Sequence, residues 1–206
     1  MLFNILASIS LIIIIILLRR LVNIFPSLLA CTIRWKENIN LDASLKLRID
    51  RNKLALAMIV PFCLLVCWSG IYRPGFMEKF NEPAQILMTL GIFITFILLR
   101  QGLWFAFRPK KAGTAAYDTA HSSSSTFFII LTLFLLTASG LLSFFNADKE
   151  VVKSAMIWIS AAMYLVFIIR KTQIFNSSCS IFASFLYLCA LEILPTGVLI
   201  ASAVIF

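Results

Sequence analysis

The chain has 206 residues, of which 61% are hydrophobic and 13% are charged. Soluble globular domains contain roughly 45–50% apolar and about 25% charged residues, so this composition excludes a water-soluble domain. The 18 Lys and Arg residues exceed the 9 Asp and Glu residues and give a net charge of +9. In a membrane protein such an excess reports orientation before it reports an anionic partner, and we expect no nucleic-acid partner.

A membrane helix needs about 20 residues, so the chain has room for about six crossings with short connections. We therefore predict an all-α, polytopic transmembrane helix bundle that forms a single integral membrane domain over residues 1–206, with the lipid bilayer as its surroundings. The first apolar run stops at Arg19 and Arg20, and the fifth stops at Arg170 and Lys171. Four serines, at 122–125, are typical N-cap residues and precede the fourth. The predicted spans are 2–18, 54–72, 84–107, 126–145, 152–169 and 180–203.

The longest polar segment, residues 34–53, lies between the first two predicted spans. Leu41, Leu45 and Ile49 recur every four residues in it, a spacing that predicts an amphipathic helix. Basic residues flank Trp35, which is typical of the headgroup region of a membrane. We expect this helix on the cytoplasmic membrane surface, as a solvated connector, a lipid-binding element or a docking surface for a partner protein. The candidate docking residues are Arg34, Trp35, Lys36, Lys46, Arg48 and Arg51.

The basic residues are distributed unevenly between the two sides of the predicted bundle. If the spans alternate in direction, the segments after the first, third and fifth spans hold 14 basic residues, including Arg100, and the opposite side holds 4. Because basic residues accumulate in cytoplasmic loops, this asymmetry predicts that both termini lie outside the cytoplasm.

Motifs for catalysis or cofactor binding are absent from the sequence. We find no nucleophile elbow, no phosphate-binding glycine loop and no paired-histidine metal motif. The 5 cysteines lie in or beside apolar stretches, and the single histidine, His121, lies in a predicted loop. We therefore predict no metal site, no cofactor and no enzymatic activity.

Glu192 is the one charged residue deep inside the last predicted span. A carboxylate at the centre of a membrane helix costs roughly 2.5–3.5 kcal/mol, so it should face the bundle interior and be paired or protonated. At a rise of 1.5 Å per residue, Arg100 lies about 10 Å and Glu192 about 18 Å from the same membrane boundary, a gap of about 8 Å that two long side chains can close. We predict that they form an ion pair. Tyr187 is a candidate hydrogen-bond donor to the carboxylate, and Pro195 is expected to loosen the helix.

The stretch FLYLCALEILP at 185–195 is an aromatic-rich helix that ends in Leu-Glu-Ile-Leu-Pro. It resembles the C-terminal signature of a family of uncharacterised multi-pass inner-membrane proteins of the Bacteroidetes, which is classified only as a domain of unknown function. A basic segment after the first helix, Arg100 late in the third, and the pair Arg170 and Lys171 before the last also resemble this family. The resemblance implies the inner membrane of a Gram-negative bacterium and implies no activity. In that membrane, the termini that the charge asymmetry places outside the cytoplasm would be periplasmic.

Three functions are compatible with these features. The first is a non-enzymatic subunit or assembly and scaffold factor of a membrane complex, in which Glu192 and Arg100 organise the bundle and residues 34–53 face a partner protein. The second is a small transporter or proton-coupled carrier that uses Glu192. The third is a membrane-embedded lipid-modifying enzyme, against which the lack of clustered acidic residues or histidines argues.

Overall fold

The computed structural model describes residues 2–107, 114–177 and 180–205, and the regular structure within these ranges is helical throughout. Six of the described helices are long and apolar enough to cross a membrane, which confirms the predicted all-α polytopic bundle. These candidate spans are Asn4–Ile33, Leu45–Ser69, Pro83–Ala106, Tyr117–Phe144, Lys149–Asn176 and Ile181–Ala203.

Some of the spans are built from more than one helical segment. The second span consists of two helices that meet at Met58, and the last span contains one π-helical turn between two α-helices. A short 3-10 helix, Gly75–Lys79, connects the second and third spans. The α-helices are α1 (Leu2–Ile33), α2 (Lys36–Ala43), α3 (Leu45–Ala57), α4 (Ile59–Ser69), α5 (Glu82–Ala106), α6 (Thr114–Phe144), α7 (Lys149–Asn176), α8 (Ile181–Leu188) and α9 (Leu194–Ile205), and the π turn is Cys189–Ile193.

Large apolar side chains cover the outside of the bundle. Ile16 is 71% exposed, Phe105 83%, Trp158 73% and Phe182 73%. Soluble proteins rarely expose contiguous apolar surface of this kind, whereas lipid chains solvate it readily. Inside, α6 packs along α7 in the most extensive helix contact of the described chain. A buried cluster that includes Leu28, Leu54 and Ile130 joins α1, α3 and α6.

The helices of the first and fifth spans continue beyond their predicted ends. The first helix continues through Arg19 and Arg20 to Ile33, and α7 continues through Arg170 and Lys171 to Asn176. The predicted ends at residues 18 and 169 are therefore wrong. Basic residues end an apolar run, but they do not end a helix, because Arg and Lys are good helix formers and leave the backbone hydrogen bonds intact.

The prediction for the start of the fourth span is also wrong. The four serines were expected to precede a helix beginning at residue 126, but they lie inside α6, which already includes Thr114. His121 is therefore a helical residue rather than a loop residue. Residues 108–113 of the predicted basic loop lie outside the described residues. The third and last predicted spans, 84–107 and 180–203, differ from the observed helices by only a few residues.

The segment 34–53 is not one amphipathic helix. Ser44 adopts an extended conformation, with φ of −88° and ψ of 108°, and separates α2 from α3. As a result Leu41 is buried, whereas Leu45 and Ile49 of the predicted apolar face are 62% and 43% exposed. Since α3 runs on into α4, the second span begins at Leu45, and its predicted start at residue 54 is wrong. Both α2 and α3 pack against α1 and α6 of the same chain.

Candidate functional site

The carboxylate of Glu192 is the centre of a buried ion cluster that joins three spans. Its side chain is 2% exposed, and two cations contact it. The Arg100 guanidinium of α5 donates from Nη2 to Oε1 at 2.7 Å and lies 2.7 Å from Oε2. The Lys171 ammonium of α7 donates to Oε1. The predicted contact between Glu192 and Arg100 is therefore present, and Lys171 is a second partner that the sequence analysis missed.

Lys171 is held in an aromatic enclosure. Its side chain is fully buried, and its Nζ lies 4.6 Å from the centre of the Trp104 ring and 4.7 Å from the centre of the Phe167 ring. Aromatic faces attract cations, so these rings replace part of the hydration that the ammonium loses on burial. Lys171 was predicted to be a charge at the end of a span, and it instead compensates an intramembrane carboxylate.

Arg100 connects the ion cluster to the serines of α6. Its Nη2 lies 2.5 Å from the Ser124 Oγ, while its Nε is buried without a hydrogen-bond partner among the described residues. Its side chain remains 22% exposed, unlike those of Glu192 and Lys171. Ser124 acts as an acceptor between helices rather than as a helix cap. A small hydroxyl residue suits this role because it allows close helix approach and bonds across the interface.

Glu192 lies in a π-helical turn immediately before Pro195. The Leu194 N–H bonds to the Cys189 carbonyl, five residues earlier, and Pro195 has no N–H with which to continue the ladder. The Glu192 carbonyl accepts a hydrogen bond from the Tyr164 hydroxyl of α7 at 3.3 Å. The expected loosening of the helix near Pro195 is therefore observed, as a widened turn rather than a break. Such turns are frequent at functional sites.

Tyr187 does not belong to the ion cluster. Its ring stacks on Phe175 with centroids 6.0 Å apart and an angle of 12°, and it meets the Tyr117 ring edge-on at 5.8 Å. Tyr117 in turn donates to the Trp104 carbonyl at 2.8 Å. Tyr187 does not donate the predicted hydrogen bond to Glu192. It belongs instead to an aromatic cluster that packs against Trp104, the residue whose ring contacts Lys171.

A cavity of about 550 Å³ opens beside the ion cluster. Arg100 and Glu192 line one part of it, together with His121, whose ring meets Trp104 edge-on at 5.0 Å. The remaining wall is mainly aromatic and aliphatic. Residues of the second to sixth spans all contribute, so that the cavity lies between five helices. Its volume is within the range of about 300–1,000 Å³ that is usual for small-molecule sites.

A separate ion pair lies where α2 and α3 meet α6. The Arg51 side chain is fully buried and its Nη1 lies 2.8 Å from Asp42 Oδ1, close enough for an ion pair but not aligned for a hydrogen bond. Ser122 of α6 donates to the other oxygen of Asp42. Arg51 was predicted to be available to a partner protein, and that prediction is wrong because Asp42 and Ser122 hold it inside the bundle.

The other predicted docking residues differ in their surroundings. Arg34, Lys36, Lys46 and Arg48 have exposed side chains. Trp35 is half-buried against the aromatic cluster that includes Trp104, and Lys36 Nζ lies 5.7 Å above its ring. The docking surface is thus reduced to four basic residues on α2, α3 and the turn before them.

The sequence carries a signal for the role of Lys171. Tyr164, Phe167, Lys171 and Ile174 are spaced by three and four residues, so they share one face of a helix. A lysine on the aromatic face of an apolar helix is placed toward the interior. The pattern becomes visible only if α7 is continued past Arg170.

The fold and the site together define a class, a helical multi-pass membrane protein with a buried ion cluster beside an internal cavity. No protein-family model, curated protein or solved structure matches the chain. The family resemblance of residues 185–195 therefore stays a prediction.

Proposed function

We propose that this protein is a non-enzymatic carrier that binds a small molecule in the cavity between its spans. The observation that supports this most directly is the position of Glu192 and Arg100 in the wall of a cavity of about 550 Å³. Ionisable residues within membrane spans usually face a bundle interior or a substrate pathway. A solely structural ion pair needs no such space beside it.

The widened turn in the last span supports the same proposal. Secondary transporters often place their substrate sites at helices whose hydrogen-bond ladder is broken near the middle of the membrane. Here the π turn widens the ladder at Glu192, Pro195 removes one donor from it, and Thr196, one turn further along, also lines the cavity. A widened turn of this kind can open or close with a smaller loss of hydrogen bonds than a regular helix.

A structural subunit of a membrane complex is the second candidate. Glu192 binds cations from both α5 and α7, so the cluster fastens three spans together. The exposed side chains of Arg34, Lys36, Lys46 and Arg48 favour contact with an acidic partner or membrane surface. In this case the ion cluster would serve only to hold the three spans together, and water would not enter the cavity.

Substitution of Glu192 does not separate these candidates well. Its removal would leave Arg100 and the buried Lys171 without a counter-charge and would destabilise the bundle under either function. A better probe is a native thiol on the cavity wall. Cys63 of α4 lines the cavity but is only 2% exposed, so a water-soluble reagent reaches it only when the cavity opens. Cys67, one turn further along the same helix, does not line the cavity and lies 3.7 Å from the Thr89 hydroxyl.

The proposed experiment compares two single-cysteine variants, in which either Cys63 or Cys67 is kept and the other cysteines are replaced by alanine. Each is reconstituted in sealed vesicles and treated with a membrane-impermeant maleimide from the outside or the inside. A carrier exposes its site to both aqueous phases in turn, so we expect Cys63 to be labelled from both faces and Cys67 to be labelled at least ~10-fold more slowly. Cys63 that is unreactive from both faces would support the structural subunit and overturn the carrier.

A further inference from the structure

The cavity is graded from charged to apolar along its length. On α5 the lining residues run from Phe93 and Phe96 to Arg100 and Trp104, over about 16 Å at 1.5 Å per residue. On α6, which runs in the opposite direction, the order is reversed, from His121 and the serines to Phe127, Phe128 and Leu131. The polar ends coincide, since Arg100 meets Ser124 and Trp104 meets His121.

Two of the remaining spans on the wall follow the same gradient. In the second span the lining begins with Asn52 and ends with Phe62 and Cys63. The Phe62 ring meets those of Phe93 and Phe128 at 5.2 Å each, so the apolar ends of three spans converge. In the last span Glu192 precedes Leu199. The cavity therefore has one charged end and one aromatic end.

Within the ion cluster at the charged end, positive charges outnumber negative ones. Lys171 and Arg100 both contact Glu192, which is the one acidic residue that the described residues contribute to the cavity wall. With its two oxygens already bound, Glu192 offers little to a cationic substrate. A substrate anion would instead balance the second cation in a site of low dielectric constant, where that balance matters most.

Two donors at this end also lack acceptors. Arg100 Nε and Trp104 Nε1 are buried, and neither has a hydrogen-bond partner within the described ranges. Both residues line the cavity. Buried donors without an acceptor are costly, and carboxylate or phosphate oxygens are the acceptors that guanidinium groups bind best. An anionic head group would complete both.

On these grounds, and resting on the proposed carrier function, we infer that the substrate is a single-chain amphiphile with an anionic head group. The carboxylate or phosphate lies at Arg100 and Trp104, and the hydrocarbon chain lies among Phe62, Phe93 and Phe128. The aromatic end distinguishes this substrate from a small hydrophilic anion, because it offers a chain about 25 cal/mol for each Å² of apolar surface that it covers.

The test uses the full chain with Cys63 as its single cysteine, in nanodiscs of neutral phosphatidylcholine. Cys63 lies at the apolar end, so a bound chain should shield it from maleimide. The probes are dodecanoate, dodecyl phosphate, dodecylamine and inorganic phosphate. We expect the first two to slow labelling at least ~10-fold, a difference of about 1.4 kcal/mol, and the last two to have no effect.

Other outcomes would overturn the inference in distinguishable ways. Protection by dodecylamine alone would indicate a cationic substrate, and protection by inorganic phosphate alone would indicate a small anion. Labelling that none of the probes slows would exclude an amphiphile while leaving the carrier proposal intact. A Cys63 that does not react without any probe would overturn the carrier proposal itself.

Two matched pairs of substitutions test where the probe binds. Ile97→Trp fills the cavity wall and should abolish protection by dodecanoate, whereas Leu98→Trp, on a neighbouring residue that is 62% exposed, should leave it unchanged. Gln101→Glu adds a carboxylate to the charged end and should weaken protection at least ~10-fold, with Gln101→Met as the control for the lost amide. Equal effects of Ile97→Trp and Leu98→Trp would place the probe outside the cavity.

Discussion

Glu192 illustrates how a single buried charge determines its surroundings. A carboxylate in a membrane span requires compensation, and here two cations provide it, one from α5 and one from α7. These three side chains together carry two positive charges and one negative charge. Loss of the carboxylate would leave two cations without a counter-charge, whereas loss of one cation would leave a neutral pair.

We predict that Glu192→Gln lowers the free energy of unfolding by about 3–5 kcal/mol, because it leaves the fully buried Lys171 and the partly exposed Arg100 without a counter-charge. Adding Lys171→Met to this variant should restore most of the loss, since it removes the ammonium that is fully buried. Thermal or denaturant unfolding in detergent micelles measures both effects. Glu150→Gln, at an exposed position in the first turn of α7, is the control and should change stability by less than about 0.5 kcal/mol. A double variant no more stable than Glu192→Gln would argue against the ion cluster.

At the scale of helices, the aspartates of α2 and α3 have different roles. Asp42 pairs with the fully buried Arg51 and accepts a hydrogen bond from Ser122, which fastens α2 and α3 to α6. Asp50 pairs with Arg20, whose side chain is 46% exposed. The two pairs have the same chemistry and differ in burial.

We predict that Asp42→Asn destabilises the bundle by about 3 kcal/mol, because it leaves the Arg51 guanidinium buried without a counter-charge. Asp50→Asn should cost no more than about 1 kcal/mol, because exposed pairs contribute little. Unfolding in micelles gives the difference, and limited proteolysis shows whether α2 has detached. Equal losses in the free energy of unfolding for the two variants would mean that the Asp42–Arg51 pair does not hold α2 and α3 against α6.

Helix boundaries show where pattern reasoning fails at this scale. The apolar runs correctly predict six spans, but charges and serines do not mark the helix ends that they predict at residues 18, 126 and 169. Hydropathy describes where a helix meets water, whereas the helix itself ends where its backbone hydrogen bonds end. Neither Arg20 nor Ser124 interrupts that ladder, and each gains a partner on another helix.

For the whole molecule, the charge distribution predicts an orientation that can be measured. Lys36 and Lys79 have exposed side chains and lie on opposite sides of the second span, the former on the predicted cytoplasmic side. In a cysteine-free chain, we expect an impermeant maleimide to label Lys79→Cys in intact spheroplasts. Lys36→Cys should be labelled only after the membrane is permeabilised. The reverse pattern would invert the topology and place both termini in the cytoplasm.

The sequence by itself determined the class of the protein, the number of spans and the pairing of Glu192 with Arg100. The class and the number of spans depend on the hydropathy of neighbouring residues. The pairing depends on the depth of each residue in the membrane, which follows from its distance along its own helix. The partnership of Lys171 with Glu192, the burial of Arg51 and the graded cavity were decided by the tertiary structure. They depend on how each helix is rotated about its axis, and that rotation is fixed by packing between spans far apart in the sequence.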